Sequence, residues 1–376
     1  MSDDRPGTCR AGGHPMKIVF LIQRPQRRGA ELFALQLGSE LMDRGHEVTV
    51  IALFRGPSQL EFPGRLITLD RPEIFRFFDV PGWLKLSRFL RKAGTELVMA
   101  NAGDTLKFAI GSRMMGPWKA RLVFRNASVM GRYLTRWYHG PYNRFLMKRV
   151  DQVISVSSDS LRDLCRHFPW LTSRSVVIPV GISVGTEPAL PVTARSRMIV
   201  QAGAFTFEKN QAAMIRIFTR LAAQDKAVML CFLGDGPMLR DMRQLAEHCG
   251  YTDRIRFMGN VADIRPWLQQ ASALAVTSII EGLPAVVLEA MECGCPVVSF
   301  AVGGVGDAIV DGKTGVLIAP GEEAAFAETL VRLLNDGEWR ASLAARAQET
   351  VRTAFTIGAV ATSFEQTFLK LTDLPK

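Results

Sequence analysis

Twice along this chain a short, uninterrupted run of aliphatic residues leads through a glycine-bearing loop into a helix-length segment. The first run is Lys17–Ile22, rich in β-branched residues. A strand that is apolar along its whole length is buried on both faces, which requires a parallel sheet covered by helices. Arg27-Arg-Gly-Ala-Glu31 follows, and then Leu32, Phe33, Leu35, Leu37, Leu41 and Met42 recur at helical spacing. Gly45 stands just past the last periodic residue, where a helix C-cap is expected. The second strand is 47–52. This β-loop-α-β unit opens a doubly wound sheet. Further strands are expected at 66–69, 97–100, 122–124 and 152–156. The pattern restarts with a strand at 198–202, Gly203, a helix over 211–223, and strands at 228–233, 255–258, 273–277, 296–300 and 316–318.

Two successive series in 376 residues imply two domains, since single cores stop growing well below that length. Prolines at Pro179, Pro188 and Pro191 mark the break. The expected division is a lead over 1–15, an N-terminal Rossmann-like domain over 16–185, a C-terminal Rossmann-like domain over 186–355, and a final helix over 356–376 packing back towards the first domain. The lead is polar and lacks the apolar core of a signal peptide; it reads as disordered, with Met16 a better functional start. An apolar content of 48% with 22% charged residues is a globular composition, and no apolar run reaches the roughly 18–20 residues that span a bilayer.

Six scattered cysteines form no C-x-x-C pair, and the histidines meet no second ligand cluster. They read as reduced structural residues of a cytoplasmic protein rather than a metal site or disulfide framework. Residues 1–180 carry a net charge of +13 and residues 181–376 one of −3, which gives the overall +10. A basic half meets anions: nucleic acid, anionic lipid or a phosphorylated substrate.

The densest chemical signal runs from Thr277 to Ser299. A strand ends at Thr277, a loop holds Glu281, Gly282, Leu283 and Pro284, and a helix carries Glu289 in its early turns. Helix N-termini present free N–H groups to a diphosphate, and a carboxylate accepts from neighbouring sugar or ribose hydroxyls. Either glutamate alone reads as ordinary surface; the whole string does not. In two doubly wound domains the loops after the strands, 23–28, 101–104, 203–209, 234–237, 259–263 and 278–284, are expected along one interdomain cleft.

The string Glu281 to Val298 resembles the glycosyltransferase family 4 pattern E-x7-E-A-M-x-x-G-x-P-V-V, and the resemblance extends roughly from Met16 to Leu371. It implies an α/β GT-B fold: two facing Rossmann-like doubly wound domains with an interdomain cleft. It further implies a retaining glycosyltransferase that takes an NDP-sugar, most often a UDP-sugar, and glycosylates a glycan or lipid-linked acceptor in polysaccharide, lipopolysaccharide or glycolipid synthesis. No cofactor and no metal are implied, and the chain contains no D-x-D of the metal-clamped transferases. By the resemblance, Glu281 contacts donor-sugar hydroxyls, Glu289 the ribose, and the backbone of Gly282 and Leu283 the sugar and phosphates. Pro284, where many members have glycine, removes one N–H donor.

Gly203-Ala-Phe-Thr-Phe-Glu-Lys-Asn210 is similar to the family's G-R-x4-K-G/N segment. Lys209 would neutralise the leaving diphosphate. Ala204 takes the arginine position, leaving that charge to Lys209 or to a cation such as Arg28 or Arg125. Gly234-Asp-Gly-Pro and Phe257-Met-Gly-Asn-Val-Ala-Asp263 match the glycine turn and the base-binding strand end. Gly259, Val261 and Asp263 are the expected base contacts, and Asp263 reads equally as a helix N-cap. Gly303-Gly-Val-Gly-Asp307 and Asp311–Gly315 match closing turns and read as structural. In the first half, Arg28-Gly29-Ala-Glu31 stands in place of G-G-A-E, with Gly29 able to approach the donor phosphate closely. His46 reads as turn packing. Arg125 or Asn126 takes the place where many members set a histidine near the sugar; with Arg28 and Asn101 they are the expected phosphate or acceptor contacts.

Trp118 to Arg149 interleaves eight cations with aromatics and contains no acid; Phe75, Arg76, Phe77, Phe78 and Trp83 lie upstream. The mix suits an anionic membrane surface, and equally a long solvated helix with an aromatic core face. No nucleic-acid partner is expected, because no recognisable motif accompanies it. Two other readings compete. A Rossmann dehydrogenase is disfavoured because neither opening strand leads into G-x-G-x-x-G. A catalytically weak GT-B protein binding a membrane or nucleic acid is kept alive by Arg28, Ala204 and Pro284.

Overall fold

In the computed structural model the described residues are 14–56, 60–75, 78–134, 136–185 and 195–374. Most of the N-terminal lead, Arg76, Phe77, Pro188 and Pro191 lie outside them. Among the described residues thirteen strands form two sheets. The first contains β1 (Lys17–Ile22), β2 (Glu47–Phe54), β3 (Arg65–Arg71), β4 (Leu97–Ala100), β5 (Arg121–Asn126), β6 (Gln152–Ser155) and β7 (Ser175–Val177), in the order 3-2-1-4-5-6-7. The second contains β8 (Met198–Ala202), β9 (Met229–Leu233), β10 (Ile255–Phe257), β11 (Ala273–Val276), β12 (Val297–Phe300) and β13 (Val316–Ile318), in the order 10-9-8-11-12-13. β1 runs parallel to both β2 and β4, and β8 to both β9 and β11. Both are doubly wound sheets with the first strand of each series central. Among the described strands the sequence missed β7, whose three residues are too few to show a period; the other strand bounds match or differ by at most two residues.

The uninterrupted aliphatic runs are buried as expected. All of β1 after Lys17 and all of β2 after Glu47 are buried, and each valine, isoleucine, leucine or phenylalanine among them contributes about 1.5–3 kcal/mol on leaving water. The helix Gly29–Asp43 follows β1, and Gly45 adopts φ +94 just beyond its end, a conformation that suits glycine.

The chain divides into two compact units. One comprises Met1–Arg125, Gly140–Ile154 and Ala361–Lys376; the other comprises Asn126–His139 and Ser155–Val360. Residues 126–139 and 155–185, which the sequence groups with the first domain, therefore belong to the second unit. Within the first unit the part of the C-terminal helix Ile357–Asp373 beyond Val360 sets Phe364 5.8 Å from the Phe33 ring. Glu365 bonds Arg44 at 2.9 Å and His46 at 3.1 Å. His46 is buried and also accepts from the Met16 backbone N–H at 3.2 Å, so it is packed and bonded as a structural residue.

The single long helix considered for 118–149 does not form. β5, a short 3-10 turn at Met130–Tyr133 and the helix His139–Met147 divide that segment. Gly131 lies within the 3-10 turn, and Gly140 and Pro141 fall in the first turn of the short helix, where proline is tolerated. Trp118 is buried under the Arg113 guanidinium, 4.1 Å from its ring centroid. Trp118 and the buried Arg125 are thus removed from any surface patch. No helix among the described residues is long and apolar enough to cross a membrane.

Candidate active site

Strand order reverses between β8 and β11, where the loops leaving the two strands part and open a crevice. Lys209 lies beyond β8 and Glu281 beyond β11, and Lys209 Nζ approaches Glu281 Oε1 to 2.6 Å. Glu281 is 8% exposed. Polar residues at the two strand ends hold this pair. Gln201, a lone polar residue in the apolar β8, donates to the Lys209 carbonyl at 3.1 Å and to Thr277 Oγ1 at 3.0 Å. Thr277 Oγ1 donates to the Asn210 carbonyl at 3.0 Å, and Asn210 Nδ2 donates to the Thr277 carbonyl at 3.2 Å. The Ile279 N–H donates to the Glu208 carbonyl at 2.9 Å. Asn210 sits at φ +49, a left-handed conformation that asparagine tolerates better than most residues. That explains the G/N preference at this point of the segment.

The loop bearing Glu281 is clamped by glycines. A side chain on Gly303, at φ +54, would run into the Glu281 carbonyl. One on Gly282 would meet the Ala127 carbonyl. The Gly304 N–H donates to the Gly282 carbonyl at 2.6 Å. The turn read as structural is therefore the seat of the Glu281 loop. Its Asp307 accepts from the Ser158 N–H at 2.6 Å, at the start of the helix Ser158–His167.

Gly203, Gly234 and Gly259 end β8, β9 and β10 in a row of bare backbone. Gly203 and Gly234 have φ +149 and +135, and the Gly234 N–H donates to the Gly259 carbonyl at 2.7 Å. Added side chains would pack on the Lys209 stem at Gly203 and strike the Gly203 carbonyl at Gly234. Val261 is half-buried and Asp263 exposed. Asp263 accepts from the Arg265 N–H at 2.9 Å at the start of the helix Arg265–Gln270, so this carboxylate supports the helix start one residue before its N-cap, Ile264.

Pro284 is the N-cap of the helix Ala285–Glu292. The N–H it lacks belongs to the cap position; residues 285 and 286 keep theirs. Leu283 is buried beside it. Burial raises the Glu289 carboxyl above the usual range, and the nearby Asp263 adds to this while Arg265 opposes it. Sequence reasoning missed Gln201 as the brace of the Lys209 loop; a polar residue inside a buried strand was the available signal. It also missed Tyr133, whose hydroxyl lies 3.5 Å from Glu208 and whose pKa is raised by burial, with Glu281 contributing.

In the first unit the reversal falls between β1 and β4. Arg28 caps the helix Gly29–Asp43 without a side-chain hydrogen bond and is exposed. Gly29 has open space where a Cβ would stand. Asn101 is buried at the end of β4 and donates from Nδ2 to the Leu21 carbonyl at 3.3 Å. Arg125 is buried in β5 with its guanidinium 4.2 Å from the Phe33 ring centroid. In the second unit Asn126 donates from Nδ2 to Ser155 Oγ at 3.3 Å and to the Ser160 carbonyl at 3.2 Å; its amide hydrogens are spent within the protein.

Two family models match the chain. Residues 188–350 match the model described as glycosyl transferases group 1, and residues 27–185 match glycosyltransferase family 4. A D-inositol 3-phosphate glycosyltransferase of Xylanimonas cellulosilytica is 30% identical over 93% of this chain and 89% of its own length. The lipopolysaccharide core biosynthesis glycosyltransferase LpsE of Rhizobium meliloti is 30% identical over 90% of this chain and 95% of its own. Among solved structures, Anabaena Alr3699/HepE in complex with UDP and glucose superposes with a TM-score of 0.82 at 21% identity, covering 96% of this chain and 100% of that one. With two matching models and near-full-length relatives at 30% identity, the chain belongs to the group 1 glycosyltransferases of the GT-B fold.

Proposed function

We propose that the protein transfers a sugar from an NDP-sugar, a UDP-sugar in the first instance, to a glycan or lipid-linked acceptor in cell-surface polysaccharide or glycolipid synthesis. The Lys209–Glu281 pair carries this reading. A buried carboxylate suits sugar hydroxyls, and a partly exposed ammonium 2.6 Å away suits the charge that develops on a departing diphosphate. The glycine row at Gly203, Gly234 and Gly259 suits close backbone approach to the nucleotide, and Glu289 the ribose. The name of the Rhizobium relative and the UDP and glucose in the Anabaena structure support the donor and pathway class.

The reaction proposed is retaining. The sugar C1–oxygen bond to the diphosphate breaks, the acceptor oxygen bonds C1 on the same face, and the acceptor proton passes to the departing phosphate oxygen. Lys209 then serves the leaving group, with no protein-held metal. The chain is placed on the cytoplasmic side, peripheral at an anionic membrane. Exposed Trp137 (88%) and the neighbouring Tyr138 and Arg136 support that contact.

The test is a panel of NDP-sugars with purified protein, read as nucleotide binding and slow donor hydrolysis. Specific binding, with hydrolysis lowered about 10²–10³-fold by Glu281→Ala and by Lys209→Ala, is the expected result. A protein that binds no nucleotide yet floats with anionic vesicles overturns the transferase reading.

A further inference from the structure

Arg125 is 2% exposed, and neither its Nε nor its Nη1 has a hydrogen-bond partner. Among the described residues no other arginine leaves two buried guanidinium nitrogens unpartnered. Water solvates a guanidinium strongly, so a buried one without partners is costly unless a ligand supplies them. Its fixed surroundings supply little. The Phe33 ring lies against the guanidinium, and Glu31 attracts it electrostatically without bonding it. Glu31 is itself buried and bonded to Gln26 Nε2 at 2.9 Å, and burial raises its pKa towards the neutral form. Burial likewise pushes the Arg125 pKa down, to about 10, so the cation persists at neutral pH.

Asn101 is the second orphan. It is 3% exposed, and its Oδ1 has no partner. Its Nδ2 bond to Leu21 O fixes which end of the amide is free. The β4–β5 register pairs Ala100 with Phe124, and Asn101 and Arg125 are the next residues of the two neighbouring segments towards the carboxyl ends of the strands. Neighbouring strand ends therefore carry one buried cation without acceptors and one buried oxygen without a donor.

We propose that Arg125 and Asn101 form a subsite for a compact anion flanked by a hydroxyl, carried by the acceptor: a sugar phosphate or an acidic sugar. The guanidinium binds phosphate or carboxylate oxygens through charge-assisted hydrogen bonds, and Asn101 Oδ1 accepts from the neighbouring hydroxyl. The assignment rests on the transferase reading for its biological meaning. The same chemistry could be met by the donor's diphosphate, and the experiment separates the two sources.

Thermal shift and calorimetry on the full chain would use glucose 1-phosphate, glucuronate, inorganic phosphate, neutral glucose and UDP as probes. The expected result is stabilisation by the anionic probes and not by glucose. The anionic shift falls at least roughly tenfold in apparent affinity for Arg125→Met, partly recovers in Arg125→Lys, and weakens for glucose 1-phosphate but not inorganic phosphate in Asn101→Leu. UDP binding persists in Arg125→Met. If Arg125→Met loses UDP as well, the anion is the donor's diphosphate and the acceptor assignment is overturned. Anionic probes that shift wild type and Arg125→Met equally, or neither, show a purely structural arginine. Should Arg125→Met fail to fold, Arg125→Gln and Arg125→Lys answer the same question. Wild type that binds the anionic probes but no nucleotide overturns the transferase reading and leaves the anion site standing.

Discussion

Lys209 Nζ and Glu281 Oε1 lie 2.6 Å apart although 72 residues separate them in sequence. Glu281 is almost fully buried and Lys209 partly exposed, and the two form an ion pair. Removing one partner of a buried pair strands the other's charge. Lys209→Ala is expected to destabilise the protein by about 1–3 kcal/mol, below the fully buried value because the ammonium retains some solvent. Adding Glu281→Gln should restore most of that stability without restoring donor turnover. Urea unfolding of the four members of the double-mutant cycle, with donor hydrolysis measured on each, checks this. Recovery of turnover in the double variant would show that the pair is only a structural bridge.

The loop bearing Glu281 and the helix bearing Glu289 were legible in the sequence because their pattern is local. A strand end, a loop carboxylate and a helix with a second carboxylate occupy 23 consecutive residues from Thr277 to Ser299, and the two sheets announce themselves through unbroken aliphatic runs. Other features were illegible because they depend on through-space partners. Gln201 looks like an isolated polar residue until Thr277 and the Lys209 carbonyl meet it. Trp118 and Arg125 read as surface residues of a basic aromatic stretch, yet both are buried, since strand β5 begins between them. The grouping of 126–139 and 155–185 with the second unit leaves no mark in composition or periodicity.

Gly303 shows how a glycine in a closing turn governs a distant carboxylate. Its positive φ and its approach to the Glu281 carbonyl leave no room for a side chain. Gly303→Ala should cost about 1–3 kcal/mol from the strained conformation alone, with an added loss from displacing the Glu281 loop. Denaturant unfolding gives the first quantity. The second appears as a fall in donor turnover in variant protein that remains folded. Wild-type turnover in folded Gly303→Ala would show that the loop is not seated by this contact.

Gly29 gives the opposite expectation. A Cβ there meets nothing within 4 Å, and the residue begins a helix. Gly29→Ala should be neutral or raise stability by up to about 1 kcal/mol, since alanine loses less backbone entropy. If the donor phosphates approach this backbone, the same methyl should raise the donor KM while kcat changes less. A KM equal to wild type in the stabilised variant would remove Gly29 from the donor site.

Glu289 yields a pH dependence whose sign follows from burial. Its carboxyl titrates above the usual range in the folded chain, whereas the unfolded value is about 4.3. Below the unfolded value both states hold the proton and nothing is lost. As pH rises from there towards the folded value, the unfolded state releases its proton first, so the folded state loses stability relative to it. Glu289→Gln carries no such proton. The ligand-free variant should therefore match wild type near pH 4 and exceed it increasingly as pH rises towards neutrality, and the gap should level off once the folded carboxyl has ionised. Nucleotide should reverse the order at neutral pH if Glu289 holds the ribose, because wild type then gains binding energy that the amide supplies less well. Thermal melts across pH, with and without UDP, test both limbs. A stability gap that is independent of pH would remove the burial argument, and equal UDP stabilisation in the two proteins would remove the ribose contact.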